Sequence, residues 1–163
     1  MENVANHLRL EVFKQHPNED KDCFGRTAFN RYYYSIFLEI KKTLSSLNPD
    51  WDILGHAQVP DLLRGKVKKT FSKGMSRALK LNDNDTVIKC KQAISALEDL
   101  AKLVELGRSV RVVADYHPET AIDFSKSGTF SLNAVTVDDA KAWPYKVRCW
   151  LNVVKLTWRQ VNV

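Results

Sequence analysis

One stretch of the chain, Gly107-Arg108-Ser109-Val110-Arg111-Val112-Val113-Ala114-Asp115-Tyr116-His117-Pro118, gathers side chains that handle phosphate. Arginine grips a phosphate bidentately and stabilises the charge added in its transition state. Histidine moves protons near neutral pH, so it can take the 2′-hydroxyl proton of RNA or protonate the leaving oxygen. Arg111 and His117 are therefore candidate catalytic residues for metal-free RNA cleavage. Arg108 lies three residues before Arg111, on the same face of a helix, and is a candidate phosphate ligand. His117 follows Arg111 by six residues, which on a continuous helix points it well away. Convergence of the two requires the helix to end near Ala114, an ending that Pro118 favours. On spacing alone, a surface arginine and a loop histidine that never meet stand as the alternative. His7, His16 and His56 have less suggestive surroundings.

The charge distribution points to a polyanion. Of 25 basic and 19 acidic residues, seven basic ones (Arg64, Lys66, Lys68, Lys69, Lys73, Arg77, Lys80) fall in residues 64–80, where there is no acid. That leaves 18 basic against 19 acidic elsewhere, so the whole excess of +6 sits in one segment. Such a patch neutralises phosphates and releases counterions. Lys66, Lys68 and Lys69 are its candidate nucleic-acid contacts. The competing reading is a solvated helix end followed by a flexible lysine-rich loop. Phe71 is the segment's one aromatic residue, so the interleaved rings of a base-stacking platform are missing.

Other chemistries lack their signatures. There is no G-x-x-x-x-G-K-[ST], G-x-G-x-x-G or H-E-x-x-H, and no G-x-S-x-G elbow. Cys23, Cys90 and Cys149 are odd in number and widely spaced, with no C-x-x-C pair, which argues against a disulfide framework and a zinc site. No metal and no cofactor is expected. The N-terminus, Met1-Glu2-Asn3-Val4, does not look like a signal peptide, and no apolar run approaches the roughly 20 residues of a membrane span. These features predict free thiols in a reducing, cytoplasmic setting and no membrane partner.

The elements that must position these residues are helices. With 163 residues, 44% hydrophobic and 27% charged, the chain reads as one globular domain, 1–163. Phe29, Tyr33, Ile36, Phe37, Ile40, Leu44 and Leu47 recur every three or four residues and predict a helix over 27–47, ended by Asn48-Pro49-Asp50. Val59, Leu63, Val67 and Phe71 predict a second over 59–71, with Pro60 in its first turn. Val87, Cys90, Ile94, Leu97, Leu100, Ala101 and Val104 predict a third that can extend to Val113. The last starts near Thr136, whose spacing to Asp139 is that of a capping box. Its stripe is Ala140, Val147, Leu151, Val154, Trp158 and Val161, and Pro144 should kink it or mark its true start. A short helix over 3–13 precedes these, and a loop of about 20 residues precedes the last, unusually long for a compact domain. Thr129–Val137 alternates weakly, as a strand without an evident partner. The expected fold is all-α, a four- to five-helix up-down bundle with a long loop before the last helix.

Asn30-Arg31-Tyr32-Tyr33-Tyr34-Ser35-Ile36-Phe37 resembles the S-R-x-Y-Y-x-x-F signature on an early helix of the HEPN family. Arg31, Tyr33, Tyr34 and Phe37 match, and Asn30 stands at the small polar position. His56-Ala57-Gln58-Val59 with Leu62 and Leu63 is similar to the family's histidine-led second helix. Arg111 with Ala114-Asp115-Tyr116 and Pro118 resembles the R-x-x-A-D-Y-x-P ending of its third long helix. Together these cover roughly residues 24–120. The resemblance implies a helical bundle that usually dimerises. It also implies RNA or a nucleotide as ligand and, in many members, a metal-independent ribonuclease using R-x4–6-H, matched here as Arg111-x5-His117. Roles in toxin–antitoxin systems or antiviral defence, and partners such as an antitoxin or a nucleotidyltransferase, come with it. Catalytic members place Asn, Asp or His directly after the arginine, where this chain has Val112. The other implied reading is thus a non-catalytic nucleotide- or protein-binding module. Arg31 and Arg26 can line the cleft or form helix-surface ion pairs. Asp115 and Tyr116 are expected to lock the helix end, with Asp115 also orienting His117. Trp143, Trp150 and Trp158 lie near one face and are expected in the core or a dimer interface.

Overall fold

The computed structural model describes residues 1–52 and 55–161. The chain is an all-α helical bundle: α1 (Glu2–Glu11), α2 (Asn18–Leu47), α3 (Gln58–Leu62), α4 (Lys68–Lys80), α5 (Asn84–Tyr116) and α6 (Val137–Val161). A 3-10 turn, Pro49–Trp51, follows α2. A π turn, Leu63–Val67, joins α3 to α4. Among the described residues the strand content is one hairpin, β1 (Ser131–Leu132) against β2 (Val135–Thr136). Among the described residues no helix is long and apolar enough to cross a membrane. Two compact units make up the chain, Met1–Phe37 with Leu106–Tyr145, and Leu38–Glu105 with Lys146–Val163.

In the first unit α2 begins at Asn18, nine residues before the expected start at Thr27. Pro17 precedes it and Glu19 and Asp20 sit in the first turn, facing the positive end of the helix dipole. Ala28, Phe29, Tyr32, Tyr33 and Ile36 are fully buried at the expected three- and four-residue spacing. Gly107 lets α5 approach them, since a Cβ there would lie 3.0 Å from Tyr33 and 3.4 Å from Trp143. The long loop is largely fastened. Its strand finds a partner in its own return through Asn133 and Ala134, both at positive φ, a two-residue turn matching hairpin twist. Asp123 and Ser131 bridge the outgoing segment to β1 with bonds of 2.9 and 3.0 Å. Thr136 and Asp139 form the expected capping box, Asp139 N donating to Thr136 Oγ1 at 3.0 Å. The last helix therefore starts at Val137 and runs through Pro144.

In the second unit the stripe Val59, Leu63, Val67, Phe71 is fully buried. A strict four-residue repeat drifts about 40° per step around an α-helix. The wider turn at 63–67 rotates less per residue and takes up that drift. The helix does not stop at Phe71. It continues to Lys80, because Gly74 and Ala78 carry the buried stripe onward. Residues 72–80 are thus helix, not loop. On α6, Thr157 rather than Trp158 occupies the buried row, its hydroxyl donating to Val153 O at 2.9 Å. Trp158 instead meets Trp51 edge-on, with centroids 4.4 Å apart.

Candidate functional site

The end of α5 carries the candidate catalytic pair, and its actual end sets their geometry. The helix runs through Tyr116, past the ending near Ala114 that convergence requires, and His117 N still donates to Val113 O at 3.1 Å. Six residues of continuous helix place His117 about 240° around and about 9 Å along from Arg111. The two side chains accordingly serve different carboxylates. Arg111 Nε lies 2.7 Å from Asp115 Oδ2, and His117 Nδ1 lies 2.8 Å from Glu119 Oε1. Asp115 does not orient His117; Glu119 holds that position instead.

Arg111 is enclosed by groups that favour its charge. Its Cζ is 6.0 Å from the Tyr34 ring centroid and 5.6 Å from that of Tyr116. Burial works against the guanidinium, but Asp115, Tyr34 and Tyr116 outweigh it and raise its pKa. Its Nε–H does not line up on the nearby carboxylate and is left without a hydrogen bond, so this is an ion pair held by distance and charge. Asp115 also accepts from Asn30 Nδ2 at 2.5 Å, tying α5 to α2. The small polar position of the motif is therefore an inter-helix clamp. Tyr33, between these helices, has its hydroxyl pushed up to about 12 by burial, against the opposing pull of Arg108 and Arg111. Arg108 is exposed, one turn before Arg111. Arg31 is half-buried, and its Nη1 reaches Met1 Sδ at 3.9 Å. Tyr33 and Phe37 are core.

Arg26 does more than line a cleft. It pairs with Asp22 at 2.5 Å and donates to Thr120 O at 2.7 Å, to Val113 and His117 O at 3.3 Å, and to Ala114 and Pro118 O at 3.4 Å. Val113 O and His117 O also accept from the backbone, whereas Ala114, Pro118 and Thr120 lie where a helix end leaves carbonyls in need of donors, and a cation there also complements the dipole. One side chain thus fixes the chain on both sides of His117. Spacing gives no hint of it, because the carbonyls lie 87–94 residues away. His7 and His16 pair with Glu11, at 3.5 and 3.2 Å.

In the second unit the basic segment divides. Arg64 turns inward to two carboxylates, its Nη2 lying 3.0 Å from both Glu98 Oε1 and Glu105 Oε2. Its hydrogen bonds hold both carboxyls below the usual glutamate range. Lys68 adds to the field that lowers Glu98 and does not line the cavity shared by its neighbours Lys66 and Lys69. Lys66, Lys69 and Lys73 line a cavity of about 420 Å³ with Thr70, facing Asn48, Asp50 and Trp51. Lys69 and Lys73 continue with Arg77 along a neighbouring groove of about 600 Å³. Arg77 also donates to Val161 O at 2.9 Å. Among the described residues none of the three lysines is paired with a carboxylate. Of the trio picked out by charge, Lys66 and Lys69 share the groove and Lys68 does not, while Lys73 joins it. Its place follows from helical register once α4 is known to reach Lys80. Among the described residues no three His, Cys, Asp or Glu side chains gather as a metal site.

No family model matches the chain, and no solved structure matches it. It is similar to an uncharacterized protein of Methanocaldococcus jannaschii, with 32% identity over 124 residues, covering 72% of this chain and 60% of that one. The chain thus spans less than two thirds of that relative's length.

Proposed function

We propose that this chain is an RNA-binding helical protein of the HEPN type. The observation that carries this is the row of unpaired lysines, Lys66, Lys69 and Lys73, along one groove in a segment without a single acid. Lysines that form no ion pair remain available for phosphate, and binding to them releases counterions. Arg108, exposed one turn before Arg111, offers a further phosphate ligand, and the half-buried Arg31 on α2 is proposed as another. The resemblance supports a homodimer, and an antitoxin or nucleotidyltransferase as partner protein, as parts of the proposal.

Cleavage is the finer part. The 2′-hydroxyl would attack its own phosphate, giving a 2′,3′-cyclic phosphate and a 5′-hydroxyl. His117 would serve as general acid or base and Arg111 would stabilise the phosphorane. The separate carboxylates of Arg111 and His117 favour the second reading, a binding module that does not cut. In a cutting enzyme, phosphate would share Arg111 with Asp115 through the terminal nitrogens of the guanidinium, and the histidine facing it would come from a second copy in a composite cleft.

The test is incubation of RNA with purified wild type and His117→Ala in EDTA, with binding followed alongside and product ends mapped. RNA binding is expected of both proteins. Cyclic-phosphate ends from wild type alone assign a ribonuclease using His117. Binding without cleavage by either assigns the module, and equal cleavage by both removes His117 from the mechanism. Absence of RNA binding rejects the reading as a whole.

A further inference from the structure

We propose that the groove between α4 and the Asn48–Trp51 turn seats a single, unpaired RNA strand, held through its phosphates and 2′-hydroxyls and not through its bases. This rests on the RNA-binding reading and narrows it to a substrate class. Lys66, Lys69 and Lys73 follow one another at steps of three and four residues and line the same cavity. The step from Lys69 to Lys73 advances about 6 Å along α4, and Lys66 precedes them on the π turn that leads into it, so the ammonium groups form a ladder. A ladder of point charges suits a chain of regularly repeated phosphates better than one isolated anion.

The dimensions select against a duplex. Dedicated double-stranded RNA-binding domains, for comparison, span about 16 base pairs of duplex surface. Three lysines cover only about 10 Å of helix. A cavity of about 420 Å³ is in the size range of small-ligand pockets, room for a nucleotide at a time.

The lining also selects against base stacking. Trp51 is 3% exposed with its ring against Trp158, and Phe71 is fully buried. Neither offers the open aromatic face on which bases stack. Asp50 stands on the wall opposite the lysines. A carboxylate repels phosphate but accepts a hydrogen bond from a 2′-hydroxyl, the group by which a protein tells RNA from DNA. Asn48 Oδ1 is already engaged by Asp50 N at 2.9 Å, which keeps that turn in place.

Fluorescence anisotropy tests this with labelled single-stranded oligouridine, the matching deoxy-oligomer and an RNA duplex. The proteins are wild type, Lys69→Gln/Lys73→Gln and Asp50→Ala, all changed at exposed positions that leave the buried stripe intact. Wild type should favour the single RNA strand over both competitors. The double variant should bind about tenfold more weakly near physiological salt. Its log–log salt slope should fall by about 1.4, close to 0.7 for each phosphate that is no longer neutralised. Asp50→Ala should narrow the preference for RNA over DNA. If wild type binds RNA and the double variant binds equally well, the groove is overturned while the RNA-binding reading stands. Tighter binding of the duplex overturns the single-strand assignment, and an unchanged RNA-to-DNA ratio in Asp50→Ala overturns the 2′-hydroxyl hydrogen bond. A wild type that binds no RNA overturns the parent reading and this proposal with it.

Discussion

At the scale of single residues, Arg26 is the side chain on which the end of α5 depends. It reaches five carbonyls on both sides of His117, and its own charge is matched by Asp22. Truncation to alanine would leave the part-buried Ala114 and Thr120 carbonyls without this donor. Hydrogen bonds to a charged donor contribute about 1.5–3 kcal/mol. Arg26→Ala should therefore lower stability by about 2–3 kcal/mol in urea denaturation, with amide exchange quickened in the last turn of α5. Arg26→Lys should recover little, because an ammonium is a point donor and cannot replace a planar fork. An unchanged midpoint together with unchanged protection at Ala114–His117 would refute the capping role. Little of this was legible in the sequence. Arg111, Asp115 and His117 stand out because they are neighbours in one motif. The partners that decide their roles, Arg26 and Asn30, come from a helix more than 80 residues earlier, beyond the reach of spacing.

At the scale of elements, two glycines of the same helical stretch, Gly65 and Gly74, respond to their surroundings in opposite ways. A Cβ on Gly74 would lie 2.6 Å from Val161 Cγ1 and 2.8 Å from its Cβ, so α4 and α6 would have to part. Overpacking of that kind costs about 1–3 kcal/mol, more than the ~1 kcal/mol of helix propensity gained. At Gly65 nothing lies within 4 Å, so alanine there should keep most of that gain. Thermal melts should show Gly74→Ala falling and Gly65→Ala rising relative to wild type; shifts of the same sign would contradict the packing described. Gly74 also shows why the sequence hid the end of this helix. Residues 72–80 bury only Gly74 and Ala78, and small side chains give a hydrophobic pattern no amplitude. The helices with bulky stripes were legible in type and place. The missed boundaries are polar: the start of α2 carries Pro17 before it and acidic charge in its first turn, and the end of α5 is held by Arg26.

At the scale of the whole molecule, the chain carries +6 with its excess confined to residues 64–80, yet its carboxylates are placed to support the fold. Glu98 and Glu105 are lowered by hydrogen bonds from Arg64, Asp83 by Thr86, Asp123 by Ser125 and Glu11 by Lys14. A carboxylate with a folded pKa below its unfolded value, about 3.9 for Asp and 4.3 for Glu, stabilises the fold fully above the unfolded value. That stabilisation declines as pH falls through the interval between the two and is gone below the folded pKa. Protonation also adds positive charge to a chain already cationic, and self-repulsion then works in the same direction. The urea midpoint should therefore hold steady from neutral pH down to about 5 and fall below about 4. Arg64→Gln removes the partner of two of these carboxyls at once. It should be less stable than wild type at neutral pH, show a shallower acid limb, and meet the wild-type curve once the pH is low enough to protonate Glu98 and Glu105 in both proteins. A gap between the two proteins that persists undiminished at that pH would show that Arg64 acts through packing of its stem and not through the charge of its partners.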